Sequence, residues 1–113
     1  MKTDKEINVA FVDEKIKKAF EKLDMGKSDE KQLRVFILRA IDDLKRNPRC
    51  GILISRRLIP KVYVQKYGIQ NIWKYNLPNA WRLIYSIEED QVSIMSIIVE
   101  WFKHKGYERR FKY

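Results

Sequence analysis

Residues 92–101 read VSIMSIIVEW, and this stretch decides the fold class more firmly than any other part of the chain. Its alternating positions form two apolar sets, Val92-Ile94-Ile98 and Met95-Ile97-Val99. A strand that is apolar on both sides is usually buried on both sides. We therefore expect this segment to be a central strand of a sheet.

The segments that precede it carry further strand signals. Strands are predicted at Ile69 to Leu77 and at Trp81 to Ile87, separated by a turn at Pro78-Asn79. Gly51 to Leu58 is another strand candidate, with Ile52 and Ile54 on one side, and Pro60 interrupts it. Val62-Tyr63-Val64 either continues that strand or forms an edge piece. Ile7, Val9 and Phe11 alternate with polar or small residues and predict a short strand near the start of the chain.

The region between residues 12 and 47 has a helical period instead. One apolar stripe comprises Val12, Ile16, Ala19, Phe20 and Leu23, and a second comprises Leu33, Phe36, Ile37, Ala40, Ile41 and Leu44. Asp13 is a candidate N-cap for the first helix, and Ser28 or Asp29 for the second. Asn47-Pro48 should end the second helix. The sequence thus predicts one α+β domain over residues 1–113, with an N-terminal helical hairpin packed on one face of an antiparallel β-sheet.

The hairpin around Pro78-Asn79 also allows a prediction of register. An odd number of turn residues places the aromatic side chains of both strands on one face, and Lys74, Asn76 and Arg82 on the other. An even number mixes the two sets. Burial of several aromatic side chains is worth several kcal/mol at roughly 25 cal/mol per Å². We therefore predict the odd turn, with Trp73, Tyr75, Trp81 and Tyr85 directed to the core.

Charge is distributed unevenly along the chain. The net charge is +9, and residues 44–87 hold nine Lys and Arg and no Asp or Glu, whereas the segments on either side are balanced. A basic segment without acids is typical of a surface that binds an anionic partner, nucleic acid first. The alternative is a basic surface that only maintains solubility.

Several other classes of protein are disfavoured. A single cysteine, Cys50, excludes an internal disulfide framework, and one His with one Cys cannot supply the usual ligands of a zinc site. No apolar run approaches the roughly 18 residues of a membrane span, and no signal peptide is recognisable. We expect a cytoplasmic protein with no metal site, no cofactor and no membrane association.

Four segments together resemble the C-terminal half of toxins of the RelE/ParE family. They are Asn71-Ile72-Trp73-Lys74-Tyr75-Asn76-Leu77, Trp81-Arg82-Leu83-Ile84-Tyr85, Val92-Ser93-Ile94-Met95-Ser96-Ile97-Ile98 and His104-Lys105-Gly106-Tyr107. The helical hairpin before the sheet also fits that family, and the resemblance extends over residues 7–111.

The resemblance implies a function. RelE-like toxins are ribosome-dependent, metal-independent endoribonucleases that cut mRNA and thereby inhibit translation, and a cognate antitoxin protein restrains them. By position in the motifs, the catalytic residues would be Lys74, Arg82, His104 and Tyr107. One departure is Asn76, where some of these toxins have a second basic residue. The alternative is a non-catalytic binder, either a ParE-like inhibitor of DNA gyrase or an inactive RNA-binding relative.

The chemistry of RNA cleavage suits these side chains. Arginine matches the geometry of phosphate, and His104 is the side chain whose ordinary pKa lies near neutrality. Contacts to mRNA and ribosomal RNA are expected from Arg56, Arg57, Lys61, Lys66, Lys105, Arg109 and Arg110. Each role has a structural alternative. For Arg82 it is a cross-strand ion pair with an acid of the predicted turn Glu88-Glu89-Asp90. It is a surface position for His104, packing for Tyr107, and a charged edge strand for Arg56 to Lys66.

Overall fold

The computed structural model describes residues 5–111, and these form a five-stranded sheet with four α-helices. The strands are β1 (Glu6–Phe11), β2 (Ile52–Leu53), β3 (Trp73–Asn76), β4 (Trp81–Glu89) and β5 (Ser93–Lys103). The helices are α1 (Glu14–Lys22), α2 (Ser28–Arg46), α3 (Lys61–Tyr67) and α4 (His104–Phe111). The predicted α+β class is confirmed.

The strands follow the order β1-β5-β4-β3-β2 across the sheet. β5 lies between β1 and β4, so the predicted central strand is confirmed. β2, β3, β4 and β5 pair antiparallel, but β1 pairs parallel with β5, so the sheet is mixed and the prediction of a purely antiparallel sheet is wrong. Tight turns force antiparallel neighbours, whereas the long segment between β1 and β5 leaves room for the crossover that a parallel pair requires.

The two N-terminal helices begin and end close to the predicted residues. The Asp13 carboxylate accepts a hydrogen bond from the Ile16 N–H at 2.9 Å, which confirms the N-cap of α1. The N-cap predicted for α2 at Ser28 or Asp29 is wrong, because Ser28 is already the first helical residue and Lys27 is the N-cap. The Lys27 N–H donates to the Glu30 carboxylate at 3.2 Å. α2 ends at Arg46, directly before Asn47-Pro48 as predicted. α1 and α2 meet chiefly at the 3₁₀ turn Leu23–Met25 that follows α1.

The strand predictions between residues 51 and 77 are too long. Of the candidate strand Gly51 to Leu58, only Ile52–Leu53 pairs as a strand, and a 3₁₀ turn occupies Arg56–Leu58. Ile52 is exposed whereas Ile54 is buried, so the two do not share an environment as predicted. Ile69 to Leu77 reduces to the four residues of β3.

Residues 62–64, which the sequence left undecided between two strand roles, lie in α3 instead. Their β-branched side chains favour a strand locally, but tertiary packing decides otherwise. The helix brings the Tyr63 ring into the core, where it is only 1% exposed.

Helices cover both faces of the sheet, and not one face as predicted. The first core lies between the sheet and α1–α2, and Leu33, Ile37, Ala40 and Leu44 enter it from the predicted stripe of α2. The second core lies on the opposite face, where Tyr63 of α3 and Tyr107 and Phe111 of α4 pack on Ile84 and Val99. The sequence did not predict α4, because its eight residues carry mostly charged side chains.

The Asn71 side chain, two residues before β3 begins, takes the place of a strand residue beside β4. Its side-chain amide donates to the Ile87 carbonyl and accepts from the Ile87 N–H, both at 2.8 Å. These two bonds are the ones that a paired strand residue would make. One side chain therefore satisfies the edge of β4 without a further strand residue.

Candidate functional site

The pairing of β3 with β4 places the candidate catalytic cations on one face. Asn76 lies opposite Arg82 and Lys74 lies opposite Ile84. Directly paired residues project to the same face of a sheet, and so do alternate residues along a strand. Lys74, Asn76 and Arg82 therefore share the face that α4 partly covers, and the predicted odd register is confirmed.

The aromatic residues lie on the other face, as predicted. Tyr85 is fully buried in the first core, and Trp73, Tyr75 and Trp81 are partly buried against it. The Trp73 and Tyr85 rings stack with their centroids 6.1 Å apart. Because these rings pack in the first core, the side chains of Lys74 and Arg82 project to the opposite face of the sheet.

The turn of this hairpin is strained at one residue. Asn79 and Ala80 both have left-handed backbone conformations, with φ of 60° and 63°. Asparagine tolerates this region, but alanine does so at a cost of roughly 1–2 kcal/mol. Two hydrogen bonds close the turn: Leu77 N–H donates to the Trp81 carbonyl at 2.9 Å and Trp81 N–H donates to the Pro78 carbonyl at 3.4 Å.

Ala80→Gly should therefore stabilise the protein. Glycine removes the strain but increases the entropy of the unfolded chain, and we expect a net gain of about 0.5–1 kcal/mol in the free energy of unfolding. Urea unfolding of both proteins measures the difference. A lower stability for Ala80→Gly would contradict a left-handed residue 80.

Lys74 and Tyr107 come together across the sheet and α4. The Lys74 ammonium lies 5.1 Å from the centroid of the Tyr107 ring. That ring is 2% exposed and stacks on Phe111 at 4.5 Å. A ring buried to this extent offers no face to an RNA base, so its contact with Lys74 and its packing are the roles that the geometry favours.

Arg82 is half-buried and is the second residue of β4. Its guanidinium donates to the Trp81 carbonyl at 3.2 Å. The ion pairs found within residues 5–111 do not include Arg82, so the predicted alternative of a pair with a turn acid is not observed. Glu89, which is the last residue of β4, instead pairs with Lys5 at 2.6 Å and with Arg49 at 2.5 Å.

His104 is the first residue of α4 and lies at the same end of the sheet as Arg82. Arg82 is opposite Phe102, and β5 continues for one residue before α4 begins at His104. The imidazole is exposed, and its Nε2 lies 3.4 Å from the Glu108 carboxylate. The structure thus places an exposed imidazole two residues beyond the β5 residue that faces Arg82.

The predicted RNA contacts separate into two groups. Arg57, Lys61, Arg109 and Arg110 line one groove of about 610 Å³ between the 3₁₀ turn Arg56–Leu58, α3 and α4. The others, Arg56, Lys66 and Lys105, are exposed but do not line this groove. Because Arg56 lies on a 3₁₀ turn and Lys61 and Lys66 lie on α3, the alternative of a charged edge strand is wrong for these residues.

Arg110 is also a structural residue. It pairs with Glu100 of β5 at 3.4 Å, and its guanidinium carbon lies 5.9 Å from the Tyr63 ring centroid and 5.7 Å from that of Phe102. Burial and the nearby Glu100 carboxylate raise the pKa of Tyr63 above its ordinary value. Sequence reasoning missed Glu100, since it is an isolated acid within an apolar strand.

A hydrogen bond between side chains joins α2 to β3. The Tyr75 hydroxyl donates a hydrogen bond to the Asp43 carboxylate, which also pairs with Arg46 at 2.7 Å. These two contacts lower the pKa of Asp43. Burial, followed by the hydrogen bond to Asp43, raises the pKa of Tyr75 to about 12, and burial raises that of Tyr85 to about 12 as well.

The raised pKa values of Tyr75 and Tyr85 predict a loss of stability at alkaline pH. A group whose pKa is higher in the folded protein stabilises it fully below the unfolded value, here 10.0, and this contribution is lost as the pH rises through the folded value of about 12. We expect the free energy of unfolding to fall between pH 10 and 12, measured by urea unfolding at each pH. Tyr75→Phe should make the fall less steep, and an unchanged pH profile in this variant would contradict the assignment.

Within residues 5–111 no helix is both long and apolar enough to span a membrane, and no three His, Cys, Asp or Glu side chains cluster as metal ligands would. Comparison of the chain with protein-family models, with curated proteins and with solved structures gives no match.

Proposed function

We propose that this protein is the toxin of a type II toxin–antitoxin pair and a ribosome-dependent, metal-independent mRNA endoribonuclease. The observation that carries the proposal is the register of β3 and β4, which directs Lys74 and Arg82 to one face of the sheet. The segments that resemble RelE/ParE toxins contain both residues. The proposal includes a cytoplasmic location and an arrangement of α1 and α2 like the helical hairpin of those toxins.

The proposed reaction is attack of a ribose 2′-hydroxyl on the adjacent phosphate. A base removes the hydroxyl proton, the new P–O bond forms a 2′,3′-cyclic phosphate, and the 5′-oxygen of the next nucleotide leaves with a proton from an acid. Arg82 binds the phosphate oxygens with its planar fork while negative charge develops on them. Lys74 neutralises the same charge from the diagonal position on β3, roughly 7–8 Å away between Cα atoms.

His104 carries out both proton transfers in this proposal: its neutral imidazole accepts the proton of the 2′-hydroxyl and then donates that proton to the leaving 5′-oxygen. Its imidazole is exposed to an incoming RNA, and the Glu108 carboxylate, one helical turn further along, orients it. Tyr107 has a supporting role, since its buried ring lies beneath the Lys74 ammonium and restricts where that ammonium can move. The nucleic acid is expected to be held by the basic residues of α3, α4 and the 3₁₀ turn between β2 and α3.

One observation favours a non-catalytic binder as the second candidate. Asn76 lies directly opposite Arg82, where some RelE-like toxins have a further cation. A neutral side chain there leaves fewer charges to stabilise the reacting phosphate. An inhibitor of DNA gyrase or an inactive RNA-binding relative would tolerate that loss.

Expression of the protein without a partner separates these candidates. The ribonuclease account expects growth to slow, with new RNA ends within translated messages and intact chromosomal DNA. A gyrase inhibitor would leave RNA ends unchanged and accumulate broken DNA. Growth at the normal rate with neither lesion would contradict both toxic activities and leave the inactive relative. In the toxin account, a partner antitoxin that covers the face of Lys74 and Arg82 restores growth.

A further inference from the structure

The groove that contains Arg57, Lys61, Arg109 and Arg110 gathers four cations, whereas three other concave surfaces of residues 5–111 have two each. Its lining comprises these four cations and five apolar residues, with no carboxylate among the described residues 5–111. A second groove, of about 500 Å³ between α2 and β3, has two arginines but also Asp42 and Asp43. Only the first of these two grooves therefore presents charge of a single sign.

Three of the four cations have no acidic partner among residues 5–111. Within the described part of the chain, ion pairs involve Arg110 but not Arg57, Lys61 or Arg109. The side chains of these three residues are exposed. Uncompensated cations that face one another across a groove repel, and an anionic ligand relieves that repulsion.

Two cations of the groove also line a second cavity, which includes the strand partner of Arg82. Arg109 and Arg110 also line an adjoining cavity of about 440 Å³, together with Phe102 and Gly106. Phe102 lies opposite Arg82 in the pairing of β4 with β5, so the two side chains project to the same face. The two concavities share Arg109 and Arg110, and the second includes Phe102, the strand partner of Arg82; together they form the basic path.

We propose that this path binds the phosphates of a single strand of RNA that continues from Arg82, so that the groove holds nucleotides beside the bond to be cut. The inference rests on the proposed function and extends its substrate site. Guanidinium forks suit phosphate oxygens, and a concave cleft admits one strand, whereas a duplex is read by elements that protrude into its grooves. An acidic protein segment would also meet the charge requirement, but the two shared arginines and the pairing of Phe102 with Arg82 relate the path to the proposed cleavage site, which favours RNA.

The test measures affinity for a short single-stranded RNA oligonucleotide at several salt concentrations, without ribosomes. The triple variant Arg57→Gln, Lys61→Gln, Arg109→Gln should weaken binding about tenfold or more at low salt. The slope of log affinity against log salt should fall by about 2, since each lost phosphate contact on a single strand contributes about 0.7. The matched control is Lys15→Gln, Lys17→Gln, Lys18→Gln on α1, which removes the same charge from the other side of the sheet and should leave the slope unchanged.

The outcomes separate this inference from the proposed function. Equal losses of RNA affinity in both triple variants would mean that only net charge matters. That result would overturn the inference that the groove binds RNA, even if the protein cuts mRNA. Tighter binding of duplex RNA, or of a poly-glutamate peptide, that depends on the groove residues would also overturn it. A groove-dependent slope in a protein that cuts no mRNA would support the groove and contradict the nuclease.

Discussion

Arg82→Ala is expected to lower the rate of mRNA cleavage on translating ribosomes by about 10²-fold or more, the scale for removal of one preorganised donor to a developing negative charge. The structure gives two reasons for choosing this residue. Arg82 projects to the same face as Lys74, and no carboxylate within residues 5–111 neutralises it. Single-turnover cleavage, with the protein in saturating excess over the ribosome–mRNA complexes, measures the chemical step separately from binding.

Two further variants make this test specific. Arg82→Lys keeps the charge but loses the planar fork, so we expect an intermediate rate. Arg39→Ala removes an exposed arginine from α2 and should leave the rate unchanged. Ribosome affinity should fall little in Arg82→Ala, because many other cations remain. If the cleavage rate of Arg82→Ala stays within a factor of about two of the unmodified protein, Arg82 does not stabilise the transition state.

Tyr85→Phe should lower the free energy of unfolding by about 2 kcal/mol, since it leaves two backbone groups without their partner. The buried Tyr85 hydroxyl donates to the Pro48 carbonyl at 2.7 Å and accepts from the Gly51 N–H at 3.0 Å. It thereby ties the segment after α2 to the middle of the sheet. Gly51 is needed for this approach, because a Cβ at that position would lie 2.6 Å from the hydroxyl and 2.8 Å from the Lys74 carbonyl.

Chemical denaturation of Tyr85→Phe and Tyr67→Phe side by side measures this effect. The Tyr67 hydroxyl makes one long hydrogen bond, 3.4 Å to Asp13, on a partly exposed side chain. Its loss should change stability by no more than about 0.5 kcal/mol. Equal effects of the two substitutions would contradict the anchoring role of Tyr85.

The parts of the fold that could be predicted are those fixed by local pattern. The apolar alternation of residues 92–101 identified the central strand, and the turn at Pro78-Asn79 together with the burial of aromatic rings fixed the register that pairs Asn76 with Arg82. From that register, the shared face of Lys74 and Arg82 followed directly. The apolar stripe of α2 could also be predicted, because the helical period of its apolar residues is a local pattern.

The parts that failed depend on contacts between distant segments. The parallel direction of β1 arises from its pairing with β5, which no local pattern encodes. Residues 62–64 favour a strand by composition but form a helix because Tyr63 packs in the second core. The same limit applies to the site: the groove forms only when Arg57 and Lys61 meet Arg109 and Arg110 from the other end of the chain.

The central claim is that this protein cuts mRNA on the ribosome, and the most direct measurement is sequencing of RNA ends after incubation with translating ribosomes. We expect new ends within the translated region when ribosomes occupy the message, and few such ends with Arg82→Ala. An unchanged set of RNA ends with the unmodified protein, or equal cleavage of free mRNA, would contradict a ribosome-dependent endoribonuclease.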